Sequence, residues 1–235
     1  MATVHEELPT PLTSKAEQPP LFDGTTRLYT FYPCPFAQRA WIIRNYKGLQ
    51  DEIKLVPLIL DDRPTWYKEK VYPPNKVPAL EHNGKIMGES INLTKYIDSN
   101  FEGPSLFPND PEKRNFGEEL LSSADTFAMN LFASLKGDTI KETGDAFDQL
   151  EKALQKFDDG PFFLGQFSLV DIAYIPFVDR FFIVLKEALQ YDITSGRPKL
   201  GAWIEELNKI DAYEQTKPDS KELVEYFKKK FLVQK

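Results

Sequence analysis

Short alternating and aromatic-rich runs fill the first hundred residues, and apolar positions at helical spacing dominate everything after them. Residues 27–32 (RLYTFY) read as a strand, which Pro33-Cys34-Pro35 breaks. Pro35 suits the first position of a helix, and Ala37, Ala40, Trp41 and Arg44 follow at near-helical spacing until Gly48 ends it. Residues 54–60 form a second apolar strand. Pro57 has no N–H to give a ladder, so this strand belongs at a sheet edge. Residues 79–82 and 85–87 flank Asn83-Gly84, a dipeptide that tolerates positive φ, and predict a hairpin. Ser90 is placed to cap a helix through Ile91, Tyr96 and Ile97. The order β-α-β followed by β-β-α is that of a thioredoxin-like domain of about 80 residues.

Residues 101–111 are rich in proline and turn formers and mark a boundary. Beyond it, Phe116, Leu120, Phe127, Leu131 and Leu135 define a helix that Gly137 closes. Phe147, Leu150, Leu154 and Phe157 define the next, closed by Asp158-Asp159-Gly160-Pro161. Ser168-Leu169-Val170-Asp171 is a capping box that opens a buried helix. Two more helices follow, one from Pro198 through Trp203 and Leu207, the other from Asp219 to the Lys228-Lys229-Lys230 end. The expected organisation is a flexible tail over 1–25, a thioredoxin-like domain over 26–103, a linker over 104–112 and an all-helical domain over 113–235.

Charge removes whole classes of function. With 29 Lys+Arg against 36 Asp+Glu the net charge is −7, which gives no basic footprint for nucleic acid. No apolar run approaches a membrane span, since Pro176, Asp179 and Arg180 interrupt the most apolar stretch, so no membrane role is expected. The first 24 residues carry four acids against Lys15 alone and lack an apolar core, unlike a secretory signal or a transit peptide. A cytoplasmic protein is the expectation.

The reactive side chains are few. The histidines are His5, in the tail, and His82, beside the hairpin turn, which is too little for a zinc shell or a histidine-activated nucleophile, and no metal is expected. There is one cysteine, Cys34, so no intrachain disulfide can form. A cysteine between a strand and a helix, with proline next, faces converging backbone N–H groups and the positive end of the helix dipole. Such surroundings lower a thiol pKa from ~8.5 to roughly 3.5–7.5. An inert buried cysteine is the alternative. Three residues on, where a dithiol oxidoreductase carries its second cysteine, stands Ala37, so a disulfide formed on Cys34 must be opened by an outside thiol such as glutathione. Val77-Pro78 offers a bend, often cis, whose preceding residue can pair with an extended peptide, or else it merely starts a strand. Glu89-Ser90 can meet the ammonium and carboxylate of a γ-glutamyl group, or else it is merely a cap.

These residues resemble a glutathione transferase of the plant lambda class over essentially the whole chain. The resemblance rests on Cys34-Pro35-Phe36-Ala37-Gln38-Arg39 with Trp41-Ile42-Ile43-Arg44-Asn45 behind it, on Asp62-Arg63-Pro64-Thr65-Trp66-Tyr67, and on Asn75-Lys76-Val77-Pro78-Ala79-Leu80-Glu81. Gly88-Glu89-Ser90 and the Ser168 box add to it. It implies an α/β plus all-α glutathione transferase fold, with a thioredoxin-like β-α-β-α-β-β-α domain followed by a helical one. It also implies Cys34 as catalytic residue and Phe36, Arg63, Val77, Pro78, Glu89 and Ser90 as glutathione-binding residues. Arg63 stands where the similar omega class often has Lys, and either can meet the tripeptide's glycyl carboxylate.

The implied activity is thiol transfer with glutathione as co-substrate and a small hydrophobic or disulfide compound as acceptor, dehydroascorbate included, carried out by a monomer. The alternatives are a conjugating transferase, a non-catalytic carrier of flavonoid-type molecules, and a protein like the chloride intracellular channels, whose motif near the cysteine is similar. Phe36 and Trp66 are candidates for the wall of an acceptor site, or else they pack the core.

Overall fold

The computed structural model of the protein describes residues 6–135 and 140–232. The chain divides into two compact units, one comprising residues up to Pro104 with Asp211–Thr216, the other Ser105–Ile210 with the residues from Lys217 onward.

Four strands form the sheet of the first unit: β1 (Thr26–Thr30), β2 (Ile53–Pro57), β3 (Ala79–His82) and β4 (Lys85–Met87), in spatial order β2-β1-β3-β4. β1 and β2 are parallel and are joined through helix α1 (Pro35–Tyr46), while β3 runs antiparallel to β1 and β4 antiparallel to β3. Asn83 (φ 51°) and Gly84 (φ 71°) make the tight turn between β3 and β4. Helix α2 (Ser90–Asn100) packs beside α1. Between β2 and β3 the helix of the thioredoxin-like order is reduced to a 3₁₀ turn, Leu60–Asp62, and a π-type turn, Tyr67–Val71. Pro64 before that turn and Pro73-Pro74 after it leave no room for a longer helix. Tyr29 packs into a cluster with Leu58, Trp66, Tyr67, Val71 and Ala79. Leu28, one residue earlier and equally buried, faces the other side, so both faces of the sheet are covered.

The expected flexible tail needs correction for residues 6–25, which lie against this unit. Leu12 bridges Leu58 in parallel: its N–H donates to the Pro57 carbonyl at 2.8 Å, and the Ile59 N–H donates to its carbonyl at 2.9 Å. The Tyr32 hydroxyl donates to the Pro9 carbonyl, the Trp66 indole to the Ala16 carbonyl, and the Arg44 guanidinium to both Glu6 oxygens at 2.6 and 2.7 Å. Two needs hold the segment in place. β2 is an edge strand with an open side, and Arg44 is fully buried and requires an anion.

The second unit contains helices α3 (Pro111–Ser134), α4 (Ile140–Leu154), α5 (Leu169–Leu189), α6 (Pro198–Leu207) and, beyond the short α7 (Asp211–Glu214) that belongs to the first unit, α8 (Ser220–Phe227). Asp110 and Asp219 cap α3 and α8 through their carboxylates. Gly137, expected to close α3, lies outside the described residues. α4 stops a turn before the expected 158–161 closure, because the Gln155 and Lys156 N–H groups turn to carbonyls three residues back.

The capping box at Ser168 is present. Asp171 Oδ2 accepts from the Ser168 N–H and hydroxyl at 2.8 and 2.7 Å. Oδ1 accepts from the Trp203 indole at 2.7 Å and the Phe163 N–H at 3.3 Å. Complete burial still pushes the Asp171 carboxyl up to about 6, against the lowering effect of those donors.

Candidate functional site

The sheet topology decides which residues meet. β1 runs toward the head of α1, and β2, parallel to it, exits at the same end. β3 begins there, with Ala79 opposite Tyr29, and β4 returns there, with Met87 opposite Leu80. Cys34, the segment that holds Arg63, the Val77-Pro78 bond and the Glu89-Ser90 pair therefore gather at one end of one sheet.

Cys34 is the N-cap of α1. Its N–H donates to the Phe31 carbonyl at 2.8 Å in a tight turn, and its carbonyl accepts the Gln38 N–H at 3.0 Å as the first helical bond. The side chain is half-buried and in no disulfide. Pro35 holds the first helical position, so the N–H groups of the first turn point toward the cysteine end. Phe36 is half-buried, with the Arg39 guanidinium 5.4 Å from its ring centre.

The Val77-Pro78 bond is cis, and among the described residues no hydrogen bond reaches the Val77 backbone. Arg63 ends the 3₁₀ turn and donates to the carbonyl of Asn75, two residues before Val77. That bond ties the loop after β2 to the loop before β3.

At the head of α2 the structure corrects one expectation. Ser90 is the first helical residue, and the cap position belongs to Glu89. Glu89 has φ 64°, a conformation costly for a residue with a Cβ and one that recurs where a site demands it. Its carboxylate is exposed. Ser90 is buried, and its hydroxyl accepts a hydrogen bond from Arg39 at 2.9 Å. Of the two readings of Trp66, core packing is the one the structure shows: it is 8% exposed and belongs to the core cluster.

Arg39 and Asn75 are the parts that sequence reasoning missed. An arginine in a helix reads as exposed, yet Arg39 is completely buried and connects α1 with α2. The pattern that could have shown it is the apolar surround, Ala37, Ala40, Trp41 and Ile42, which leaves no polar face at that level. Segment 211–216 was missed as well: α7 packs on α1, and Gln38 Nε2 donates to Thr216 Oγ1 at 3.0 Å.

The family model of the glutathione S-transferase N-terminal domain matches residues 28–105, and that of its C-terminal domain matches residues 139–206. The chain belongs to the glutathione S-transferase family. Its lambda-class membership follows from Glutathione S-transferase L3 of Arabidopsis thaliana, to which it is 67% identical over 97% of each chain.

Solved glutathione transferases share the fold. Omega 2C of Trametes versicolor is 26% identical with TM-score 0.77, the match covering 89% of this chain and 99% of that one. Leishmania TDR1, described as a trimeric glutathione transferase, is 28% identical with TM-score 0.79, the match covering 88% of this chain and 48% of that longer one. Cys34, Phe36, Arg63, Val77, Pro78, Glu89 and Ser90 all fall inside the transferase N-terminal match.

Among the described residues no group of three His, Cys, Asp or Glu side chains is arranged to hold a metal ion, and no helix is long and apolar enough to cross a membrane.

Proposed function

We propose that this transferase removes glutathione from small-molecule or disulfide substrates through a mixed disulfide on Cys34. The observation that carries the reading is the placement of the chain's one cysteine at the head of α1, in the matched glutathione S-transferase N-terminal domain. Conjugating enzymes hold the glutathione thiolate with a hydroxyl, whereas a cysteine at that point can capture the glutathionyl group covalently.

In the first step the Cys34 thiolate attacks the glutathionyl sulfur of the substrate. The Cys34–glutathione bond forms, the substrate's sulfur–sulfur bond breaks, and the departing thiolate takes a proton. A second glutathione, as thiolate, then attacks the adduct and leaves as glutathione disulfide, which restores the Cys34 thiolate. The incoming glutathione is the reductant, since the glutathionyl group taken from the substrate is already at the disulfide level, and no second cysteine is needed. Dehydroascorbate carries no glutathionyl group, so with it as acceptor two free glutathione molecules are oxidised to the disulfide and supply the two electrons and two protons that yield ascorbate.

Around this centre Val77 offers its backbone to the cysteinyl part of the tripeptide as a short strand. Glu89 meets the γ-glutamyl ammonium, Ser90 the γ-glutamyl carboxylate, Arg63 the glycyl carboxylate, and Phe36 and Pro78 form apolar contacts. We read the protein as a cytoplasmic monomer, so sedimentation should give a mass near 27.0 kDa.

The test is Cys34→Ser. The variant should lose thiol transfer to a glutathionylated substrate while retaining glutathione binding, and turnover undiminished in it would refute the assignment.

A further inference from the structure

Gly88 links β4 to the head of α2, and the space where a side chain would stand there is already taken. A Cβ at Gly88 would lie 1.8 Å from the Tyr72 hydroxyl oxygen and 2.4 Å from Tyr72 Cζ. Tyr72 is held on both sides. Its N–H donates to the Tyr67 carbonyl at 2.8 Å, closing the π-type turn, and its carbonyl accepts from Asn75 at 2.8 Å. The ring is half-buried, and among the described residues its hydroxyl makes no hydrogen bond. Burial, and after it the negative charge of Glu89, raise the Tyr72 pKa, so the phenol keeps its proton at neutral pH.

From this geometry we infer that Tyr72 is a further ligand-contacting residue, whose hydroxyl donates to the carboxylate of the γ-glutamyl end beside Ser90. The inference rests on the reading of Glu89 and Ser90 as glutathione-binding residues. A phenol with its proton is a donor in need of an acceptor. Glu89 beside it carries a carboxylate that can meet an ammonium, and the Ser90 hydroxyl accepts from Arg39, which leaves its own hydrogen for another acceptor. The Tyr72 hydroxyl, which lies against Gly88, and the Glu89 and Ser90 side chains that follow in the chain supply two hydroxyls and one carboxylate, a set that matches an α-amino acid zwitterion: carboxylate to the hydroxyls, ammonium to the acid. Gly88 gains a reason of its own, since any side chain there would expel the Tyr72 ring from this position.

Glutathione and γ-glutamylcysteine, titrated calorimetrically into Cys34→Ser protein, test the inference without covalent chemistry. Tyr72→Phe removes only the hydroxyl and should weaken both ligands by a similar factor, about tenfold. Gly88→Ala should weaken both as well by displacing the ring. Unchanged affinity in Tyr72→Phe would overturn the inference whatever Gly88→Ala did. A loss seen with glutathione but not with γ-glutamylcysteine would overturn it too, by moving the contact to the glycyl end. If the Cys34→Ser parent bound neither ligand, the glutathione reading beneath the inference would fall instead.

Discussion

Ser90 has one hydroxyl hydrogen, and Arg39 decides where it goes. Because the guanidinium donates to Ser90 Oγ, the hydroxyl's own hydrogen points to some other acceptor, and in the proposed site that acceptor is a carboxylate. Ser90→Ala should weaken glutathione about tenfold with little change in the turnover of saturated enzyme, since the contact is the same in ground and transition states. Equal KM values for the variant and its parent would remove Ser90 from the site. Cys34 was legible because proline on both sides fixes a strand end and a helix start at that residue. The bend at Val77-Pro78 and the helix start at Glu89-Ser90 were legible as dipeptides. The contacts of Arg39, Tyr72 and Asn75 were not, because they depend on which loops fold beside them. Nothing local marks Tyr72 as a neighbour of Gly88, sixteen residues further along the chain.

Asp171 shows what a single carboxylate does for an element. It holds four donors at the start of α5, and Asp171→Ala would leave the Trp203 indole and two backbone N–H groups buried without an acceptor. A loss of about 3–5 kcal/mol follows, read as a lower urea midpoint at unchanged slope. The same residue makes stability depend on pH. Unfolded, the carboxyl titrates near its ordinary value of 3.8, whereas in the fold burial raises it to about 6. Between those values the folded state binds the extra proton, so this contribution is complete at acid pH and is lost as pH rises through about 6. Relative to Asp171→Asn, which does not titrate, the parent should lose roughly 2 kcal/mol from pH 4 to pH 7. A constant difference across that range would show that the burial effect is absent.

Elements were legible where punctuation is strong: Pro35 at the start of α1, Asn83-Gly84 in the hairpin, Pro198 at α6. The N-terminal segment was misread because its pairing is supplied by an edge strand far along the chain. Its composition, acidic and proline-rich, is that of a tail. Deleting residues 1–20 should uncover Leu58 and Trp66 and leave Arg44 buried without its acid, lowering the urea midpoint and making Trp66 fluorescence more open to quenchers. A truncated chain as stable as the full one would contradict the contacts described.

At the scale of the molecule, the sequence separates an alternating first part from a helical second part, and the two compact units part between Pro104 and Ser105. The return of segment 211–216 to the first unit is invisible in that pattern, because a four-residue helix carries too few positions to show a period. The effect is that a C-terminal segment braces the helix headed by Cys34, through Gln38 and Thr216.

Thiol transfer as proposed requires a Cys34 that is both ionised and open to glutathione, and intact-mass measurement after exposure to glutathione disulfide at neutral pH addresses it most directly. The protein should gain a single glutathionyl group, lost on adding glutathione and absent in Cys34→Ser. An unmodified mass, under conditions that glutathionylate small free thiols, would contradict the mechanism and leave only the fold and family in place.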